Sequence, residues 1–110
     1  MKTLILLILS LVINTSAHAG NIPKEFVVAS VHDGIWEYQN TYIYKTTGPR
    51  GGIVFLSNAC KGKEYTPQIS DNGNSFVGDN YVLLFTDVGL SLKIISNNKC
   101  FIPGMYQRIR

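Results

Sequence analysis

The sequence predicts an all-β domain, a small antiparallel barrel or sandwich of about seven to eight strands. From residue 26 onward, short apolar runs are separated by Gly, Pro, Asn and Asp, at the spacing of about 8–12 residues that is typical of such folds. No segment in this region repeats its apolar residues with the period of a helix. The domain is also expected to contain one disulfide and to follow a cleaved signal peptide.

The N-terminal segment has the three parts of a secretory signal peptide. Lys2 supplies a positive charge, residues 4–13 form an apolar run broken only by Ser10, and residues 17–19 read Ala-His-Ala, a cleavage signal. The apolar run is shorter than the ~20 residues that a membrane-spanning helix needs. We therefore expect a signal peptide over residues 1–19 and a single domain over residues 20–110. The mature protein would be periplasmic or secreted, with no membrane insertion after cleavage.

The only two cysteines of the chain, Cys60 and Cys100, are expected to pair. Export leads to an oxidising compartment, and two cysteines allow one intrachain connectivity. In the chain-entropy model a bond that closes a loop of this length contributes up to about 4 kcal/mol. The predicted role of the pair is structural.

The first half of the domain contains three candidate strands. Residues 25–31 (EFVVASV) form the first, and residues 35–45 (IWEYQNTYIYK) form a long second strand that could bend near Gln39 and Asn40. Residues 53–60 (IVFLSNAC) form the third, which is apolar on both faces and is therefore expected to be central.

The second half is predicted to consist of hairpins. Segment 61–70 is the weakest candidate, because Pro67 cannot donate a ladder hydrogen bond and suits an edge or a bulge. DNGN at 71–74 is a strong turn signal. DVG at 87–89 should join the clearest strand pair, with Gly89 in the left-handed conformation. The candidate strands after residue 74 are 75–77, 81–86, 90–96, 100–102 and 105–110.

Aromatic residues occupy alternate positions of the candidate strand 35–45, and alternate residues of a strand share a face. They are Trp36, Tyr38, Tyr42 and Tyr44. The other face reads as solvated and carries Glu37, Gln39, Thr41 and Lys45. This contrast favours a buried aromatic row, although tyrosine hydroxyls need partners or water, so the row could instead reach a ligand-binding pocket.

The sequence offers little catalytic or metal-binding chemistry. His32 is the only histidine of the expected mature chain, and its position before Asp33 and a glycine indicates a turn. No Gly-x-Ser-x-Gly motif occurs, and segment 71–79 has Gly73 where an EF-hand loop needs an oxygen ligand. We expect no enzyme activity, no catalytic residues, no metal site and no cofactor. An enzyme that uses His32 or a pair of acids is the weaker alternative.

The charge is modest. The formal net charge is +3, and Lys2 contributes one of these charges. The basic residues are scattered without a run, whereas nucleic-acid binders usually carry a basic stripe, so no nucleic-acid partner is expected.

Loop 46–52 (TTGPRGG) is rich in glycine and carries Arg50, which makes it a candidate recognition loop. The favoured function is a protein-binding module, such as an inhibitor or an immunity-type protein, with an extracytoplasmic protein as its partner. The alternative is a barrel that binds a small molecule or a glycan through Trp36, Tyr38, Tyr42 and Tyr44.

Overall fold

The computed structural model describes residues 27–110, so the predicted signal peptide lies outside the described residues. The described part is all-β, as predicted, and its strands form one antiparallel sheet. The strands are β1 Gly34–Tyr38, β2 Thr41–Thr47, β3 Ile53–Ser57, β4 Glu64–Tyr65, β5 Gln68–Ile69, β6 Phe76–Gly78, β7 Tyr81–Thr86, β8 Ser91–Ser96 and β9 Gly104–Arg108.

The strands follow one another around a curled sheet in the order in which they occur in the chain. The order across the sheet is β4-β3-β2-β1-β9-β8-β7-β6-β5, so β9 pairs with β1 and the two edges are β4 and β5. Only Thr66 and Pro67 separate these edges along the chain. Because a chain covers at most about 3.6 Å per residue, β4 and β5 lie within about 11 Å of each other at this point. The sheet is therefore an open barrel with a seam between β4 and β5.

At the seam, one continuous stretch of chain forms two short strands, β4 and β5, that run in the same direction. Every neighbouring pair in the sheet is antiparallel, so β4 and β5, which are eight steps apart, run in the same direction. The first half of this path pairs with β3 and the second half pairs with β6. Pro67 stands at the break, where it need not donate to a ladder. Segment 61–70, the weakest predicted strand, therefore contains two strands. Together with the division of segment 35–45, this gives nine strands in the described part of the chain against the predicted seven to eight.

The predicted strand 35–45 is a hairpin rather than one long strand. Gln39 and Asn40 both have positive φ, at 48° and 62°, and form a two-residue turn between β1 and β2. Positive φ at both central residues is the geometry of a type I′ turn, whose twist matches that of the flanking strands. The sequence lacks the usual Asn-Gly or Asp-Gly signature at this point, so it predicts only a bend where the structure has a turn.

The first predicted strand, 25–31, is also wrong over its described part. Residues Val28–Ser30 form a short 3₁₀ helix, and Val31 N–H donates to the Val28 carbonyl. Val28 and Val31 are both buried, and their spacing of three residues matches one 3₁₀ turn. This segment crosses one end of the barrel, where its Val28 N–H bonds the Gly73 carbonyl in the β5–β6 turn.

Aromatic and aliphatic side chains fill the inside of the barrel. The largest side chains that are fully buried are those of Trp36, Tyr106, Phe55, Phe76, Phe85, Phe101, Ile43, Leu83, Leu92 and Val28. The rings of Phe55 on β3 and Phe76 on β6 have centroids 4.9 Å apart, so packing joins the two sides of the seam. The core thus supplies the contact that backbone pairing does not.

The predicted disulfide is present between Cys60 and Cys100, with Cα atoms 5.2 Å apart. Cys60 lies in the 3₁₀ turn Asn58–Cys60 after β3, and Cys100 lies in the loop between β8 and β9. Phe101 is buried beside it, and its ring lies 4.1 Å from that of Tyr81. The bond therefore fastens two loops over a packed end of the barrel.

Most of the predicted turns are confirmed. The DNGN segment joins β5 to β6, and Gly89 has φ 92° in the β7–β8 loop. Residues 100–102 were predicted as a strand but form part of the loop before β9. Cys100, the first of these residues, donates its N–H to the Asn98 side chain instead of to a ladder.

Candidate functional site

The two ends of the barrel differ, and we name them by their contents. The loop end collects residues 27–33, 48–52, 70–75, 87–90 and 109–110. The disulfide end collects residues 39–40, 58–63, 79–80 and 97–103. The loop end contains a polar cluster, the most exposed apolar side chains and the predicted recognition loop, so the candidate site is located there.

A buried lysine holds segment 27–33 against the loop end. The Lys45 side chain is only 3% exposed, and its Nζ donates a 2.5 Å hydrogen bond to the Val31 carbonyl. The same Nζ lies 3.5 Å from the Asp33 carboxylate, which is the one ion pair within residues 27–110. Asp33 in turn accepts bonds from the backbone N–H and the hydroxyl of Thr47 at the end of β2. These bonds fix the path of the chain into β1.

The pKa values of this pair follow from their surroundings. Burial lowers the pKa of the Lys45 ammonium below its ordinary value of 10.5, although the Asp33 carboxylate opposes this shift. Burial would raise the pKa of Asp33, but the bonds from Thr47 and the charge of Lys45 together hold it below 3.8. The pair is therefore ionised and neutralised locally, and it contributes little free charge to the surface.

Arg108 on β9 makes the second clamp on the same segment. Its two terminal nitrogens donate to the carbonyls of His32 and Asp33, at 3.1 and 2.8 Å. Its guanidinium carbon lies 4.8 Å from the centroid of the Trp36 ring, within the range of a cation–π contact. The exposed His32 thus lies in an irregular segment between the 3₁₀ helix and β1, where Arg108 holds its carbonyl.

The β7–β8 loop presents apolar side chains to solvent at this end. Val88 is 78% exposed and Leu90 is 62% exposed. Val88 has φ 53° and ψ 40°, a left-handed conformation that is costly for a β-branched residue. Gly89 between them is buried, and its carbonyl accepts a 2.7 Å bond from the indole N–H of Trp36. The core therefore holds a strained loop whose apolar tip faces outward.

Arg50 is exposed in the β2–β3 loop, where it was predicted to lie. The loop is closed by bonds from Gly48 N–H to the Gly52 carbonyl, at 2.6 Å, and from Gly51 N–H to the Gly48 carbonyl, at 2.9 Å. Gly51 has φ 80°. Arg50 is thus carried on a loop with defined internal hydrogen bonds at the same end as Val88.

Two depressions lie on either side of segment 27–33. The larger, about 590 Å³, has polar walls that include Asp33, Lys45 and Thr47. The smaller, about 370 Å³, lies between this segment and the β7–β8 loop, with Val88, Leu90 and Arg108 among its lining residues. The second depression therefore joins apolar and cationic groups in one surface.

The predicted aromatic row is divided by the Gln39–Asn40 turn. Because Tyr38 pairs with Thr41 across that turn, the even positions of β1 share a face with the odd positions of β2. Trp36 is fully buried and Tyr38 is partly buried against the core, whereas Tyr42 and Tyr44 face outward. The prediction of one shared aromatic face is therefore wrong, and the structure does not bring the four rings together as a pocket.

The same reversal explains why Lys45 was misplaced. Lys45 was assigned to the solvated face of a single strand, but its pairing with Gly34 turns it inward, where it is buried. Sequence reasoning also missed Val88, Leu90 and Arg108 as surface candidates. Two apolar residues on either side of a hairpin glycine were the available signal for the first two, whereas Arg108 meets its partners only in the folded barrel.

Comparisons with known proteins identify no relative of this chain. Comparison with protein-family models, with curated proteins and with solved structures found no match for this chain. Within residues 27–110, no three His, Cys, Asp or Glu side chains come together as a metal site. No helix in this described part is long and apolar enough to cross a membrane.

Proposed function

We propose that the domain is a protein-binding module, exported to the periplasm or the medium, that contacts its partner through the loop end. An inhibitor or an immunity-type protein is the class of function that fits such a module. The observation that carries the proposal is Val88, an apolar residue in a strained conformation that is largely exposed on a loop held from below by Trp36.

The energetics of the loop support this reading. A non-glycine residue in a sparsely populated region costs about 1–3 kcal/mol, and such strain clusters at functional sites. The exposed side chains of Val88 and Leu90 do not contribute burial energy to the isolated domain. Burial of each side chain under a partner would contribute about 1.5–3 kcal/mol to the free energy of binding. A loop already held in shape loses little entropy on binding, which favours affinity.

The charges around the apolar tip indicate what the partner should carry. Arg50 and Arg110 are exposed at the loop end, and neither has a carboxylate within 4 Å in the described part of the chain, whereas the terminal nitrogens of Arg108 already bind the carbonyls of His32 and Asp33. Arginine pairs with carboxylates in a bidentate manner and is enriched in protein interfaces. The expected partner surface is therefore an apolar pocket with acidic residues at its rim.

The packing gives less support to the alternative, a small-molecule or glycan binder. A ligand inside the barrel would have to displace Trp36, Phe55 and Phe85, which are fully buried. Tyr42 and Tyr44 lie on the outer face of the sheet, opposite to the face that carries Trp36. A small ligand at these residues would need a separate site on the outer wall.

A photo-crosslinking amino acid at position 88 tests the proposal in the exporting cell. We expect one extracytoplasmic protein to be captured, identified by mass spectrometry and then purified for a direct affinity measurement. The same crosslinker at position 77, on the outer wall at β6, is the positional control.

The intact mass of the exported protein tests the predicted cleavage, which would leave Gly20 as its first residue.

Two matched variants make the result specific. Leu90→Asp should weaken binding of the purified partner by at least about tenfold, which corresponds to the loss of 1.4 kcal/mol. Ile95→Asp changes a similarly exposed aliphatic residue, 54% against 62%, on the outer wall at β8 and should leave the affinity unchanged. Equal affinities of the two variants, or loss of binding only in Ile95→Asp, would overturn the assignment of the loop end.

A further inference from the structure

The disulfide end carries a second surface, and we propose that it docks the domain on anionic lipid headgroups at a bilayer surface. This contact is peripheral and electrostatic. It uses neither the loop end nor the partner proposed above. Three lysines from two separate parts of the chain make the surface.

The disulfide brings these lysines together. Lys61 follows Cys60 and Lys99 precedes Cys100, and the Cα atoms of the two cysteines are 5.2 Å apart. Since consecutive Cα atoms are 3.8 Å apart, the Cα atoms of Lys61 and Lys99 lie within about 13 Å of each other. Lys63 N–H bonds the Cys60 carbonyl at 3.4 Å, which folds the third lysine back to the same place.

The three ammonium groups are free of acidic partners in the described part of the chain. Lys61, Lys63 and Lys99 are exposed, and no carboxylate of residues 27–110 lies within 4 Å of any of them. Three acids occur in this region, Glu37, Glu64 and Asp79, and the Glu37 carboxylate accepts the Asn40 N–H at 3.1 Å. Glu64 pairs with Leu56 and so faces outward from the side wall of the barrel, whereas Asp79 is exposed in the β6–β7 turn, where its carbonyl accepts the Asn98 amide at 3.1 Å. The three lysines outnumber the carboxylates of Glu37 and Asp79, so the tip keeps a net positive charge.

The type of cation differs between the two ends. Within residues 27–110 the arginines, Arg50, Arg108 and Arg110, all lie at the loop end, and the exposed cations of the disulfide end are all lysines. Arginine suits a shaped carboxylate site, whereas lysine is a compact point charge on a flexible stem. Lysines on flexible stems fit a diffuse anionic surface better than one defined ligand, although the Lys63 ammonium also lies 5.8 Å from the centroid of the Tyr65 ring.

Apolar groups lie beside the lysines. Ile102 and Pro103 are exposed in the β8–β9 loop, on the same side of the barrel as Lys99. Exposure of the apolar Ile102 side chain to water is unfavourable, and shallow insertion beside charged headgroups would bury it. Each lysine near an anionic leaflet contributes about 1 kcal/mol, so three give a weak and reversible attachment.

Vesicle cosedimentation tests the inference with the oxidised protein. We expect binding to vesicles of phosphatidylglycerol and phosphatidylcholine in equal parts, and none to pure phosphatidylcholine. At about 1 M salt the screening length falls to about 3 Å, and the binding should disappear. Equal binding to neutral vesicles, or binding that persists in high salt, would overturn the electrostatic docking.

Single-charge variants locate the surface. Lys99→Gln should lower the partition coefficient about fivefold, the contribution of one lysine. Lys93→Gln removes the same charge from an exposed position on the outer wall at β8 and should have little effect. Equal losses in the two variants would indicate a response to net charge alone and would remove the disulfide end as the site. Both variants change exposed side chains, and circular dichroism verifies their fold.

The outcome is independent of the proposed function. Leu90→Asp should still bind the vesicles, and Lys99→Gln should still bind the protein partner. If Lys99→Gln instead lost the protein partner and kept the vesicles, the disulfide end would be a protein interface and the lipid inference would fail.

Discussion

The indole N–H of Trp36 donates a 2.7 Å hydrogen bond to the carbonyl oxygen of Gly89. Both residues are buried, and they belong to β1 and to the β7–β8 loop. The bond joins the middle of the core to a loop whose neighbouring side chains face solvent. It therefore couples the stability of the barrel to the shape of the candidate binding loop.

Replacement of Trp36 by phenylalanine should separate this bond from the rest of the core. Phe keeps an aromatic ring but leaves the Gly89 carbonyl without its donor, and a buried polar group without a partner costs about 1–3 kcal/mol. Loss of ring volume adds to that cost. Trp36→Ala should cost about 3–5 kcal/mol, like other large core truncations. Urea unfolding measures both, and a Trp36→Phe variant as stable as the parent would show that the bond contributes nothing.

Gly89 should tolerate alanine less well than Gly51. Both have positive φ, 92° and 80°, but a Cβ on Gly89 would meet the Val31 side chain at 2.7 Å, whereas a Cβ on Gly51 meets nothing within 4 Å. The backbone cost, about 1 kcal/mol, is common to both variants. The difference in unfolding free energy therefore reports the packing of segment 27–33 on the β7–β8 loop. Similar values for the two variants would contradict this packing.

The β1–β2 turn should be open to stabilisation. Gln39 and Asn40 both have positive φ, and Asn-Gly is the preferred pair for such a turn. The double change Gln39→Asn and Asn40→Gly should raise the free energy of unfolding by about 0.5–1 kcal/mol, because it relieves strain at φ > 0. Thermal unfolding provides the measurement. A lower melting temperature would mean that the turn is not of the I′ type.

Two tyrosines should ionise at a higher pH in the folded protein than in the unfolded chain. Burial raises the pKa of Tyr81 and of Tyr106 to about 12, and Tyr106 also donates its hydroxyl to the Ile102 carbonyl. In the unfolded chain both would ionise near 10. The unfolded state thus binds fewer protons between pH 10 and 12, so the stability contributed by these tyrosines is complete below pH 10 and is lost as the pH rises.

Absorbance titration of the phenolates checks this prediction. Tyr81 and Tyr106 should remain protonated near pH 11, and Tyr106→Phe should remove one of these two late transitions. Ionisation of Tyr81 and Tyr106 near pH 10, without unfolding, would contradict their burial.

Asp33 should contribute to acid sensitivity. Its pKa is held below 3.8, so the unfolded chain takes up the proton first, and the contribution of Asp33 is present above pH 3.8 and lost below it. Asp33→Asn should flatten the decline of stability over that window. Asp71→Asn changes an exposed acid in the β5–β6 turn and serves as the control. An equally steep decline in the Asp33→Asn variant would show that the ion pair with Lys45 contributes little.

The sequence predicted the fold class and the disulfide because these depend on local patterns and on residue counts. Alternating runs and turn residues predicted most strands after Ile53, and Gly89 was assigned its left-handed conformation correctly. The count was low because two of the predicted strands, 35–45 and 61–70, each contain two strands, which outweighs the loss of the predicted strands 25–31 and 100–102. Strand pairing across the barrel is a tertiary property that no local pattern contains.

The candidate site was harder to predict because one turn controls which residues face inward. Reading residues 35–45 as one strand placed Tyr42 and Tyr44 with Trp36, and Lys45 in solvent. The two-residue turn reversed the alternation over all of β2. A shift of one residue in register exchanges the two faces of a strand, so a single unrecognised turn misassigned the side chains of β2. The exposure of Arg50 was predicted correctly because exposure of a glycine-rich loop does not depend on register, and its role in recognition stays a prediction.

The seam at Thr66 and Pro67 has a consequence for how the chain could be divided. The peptide before it carries β1–β4 with Cys60, and the peptide after it carries β5–β9 with Cys100, so a proteolytic nick there would leave two fragments joined by the disulfide. Each fragment is a complete meander of consecutive hairpins, and the fragments meet through β1 and β9. The barrel can accordingly be regarded as a two-part molecule whose parts happen to be synthesised as one chain.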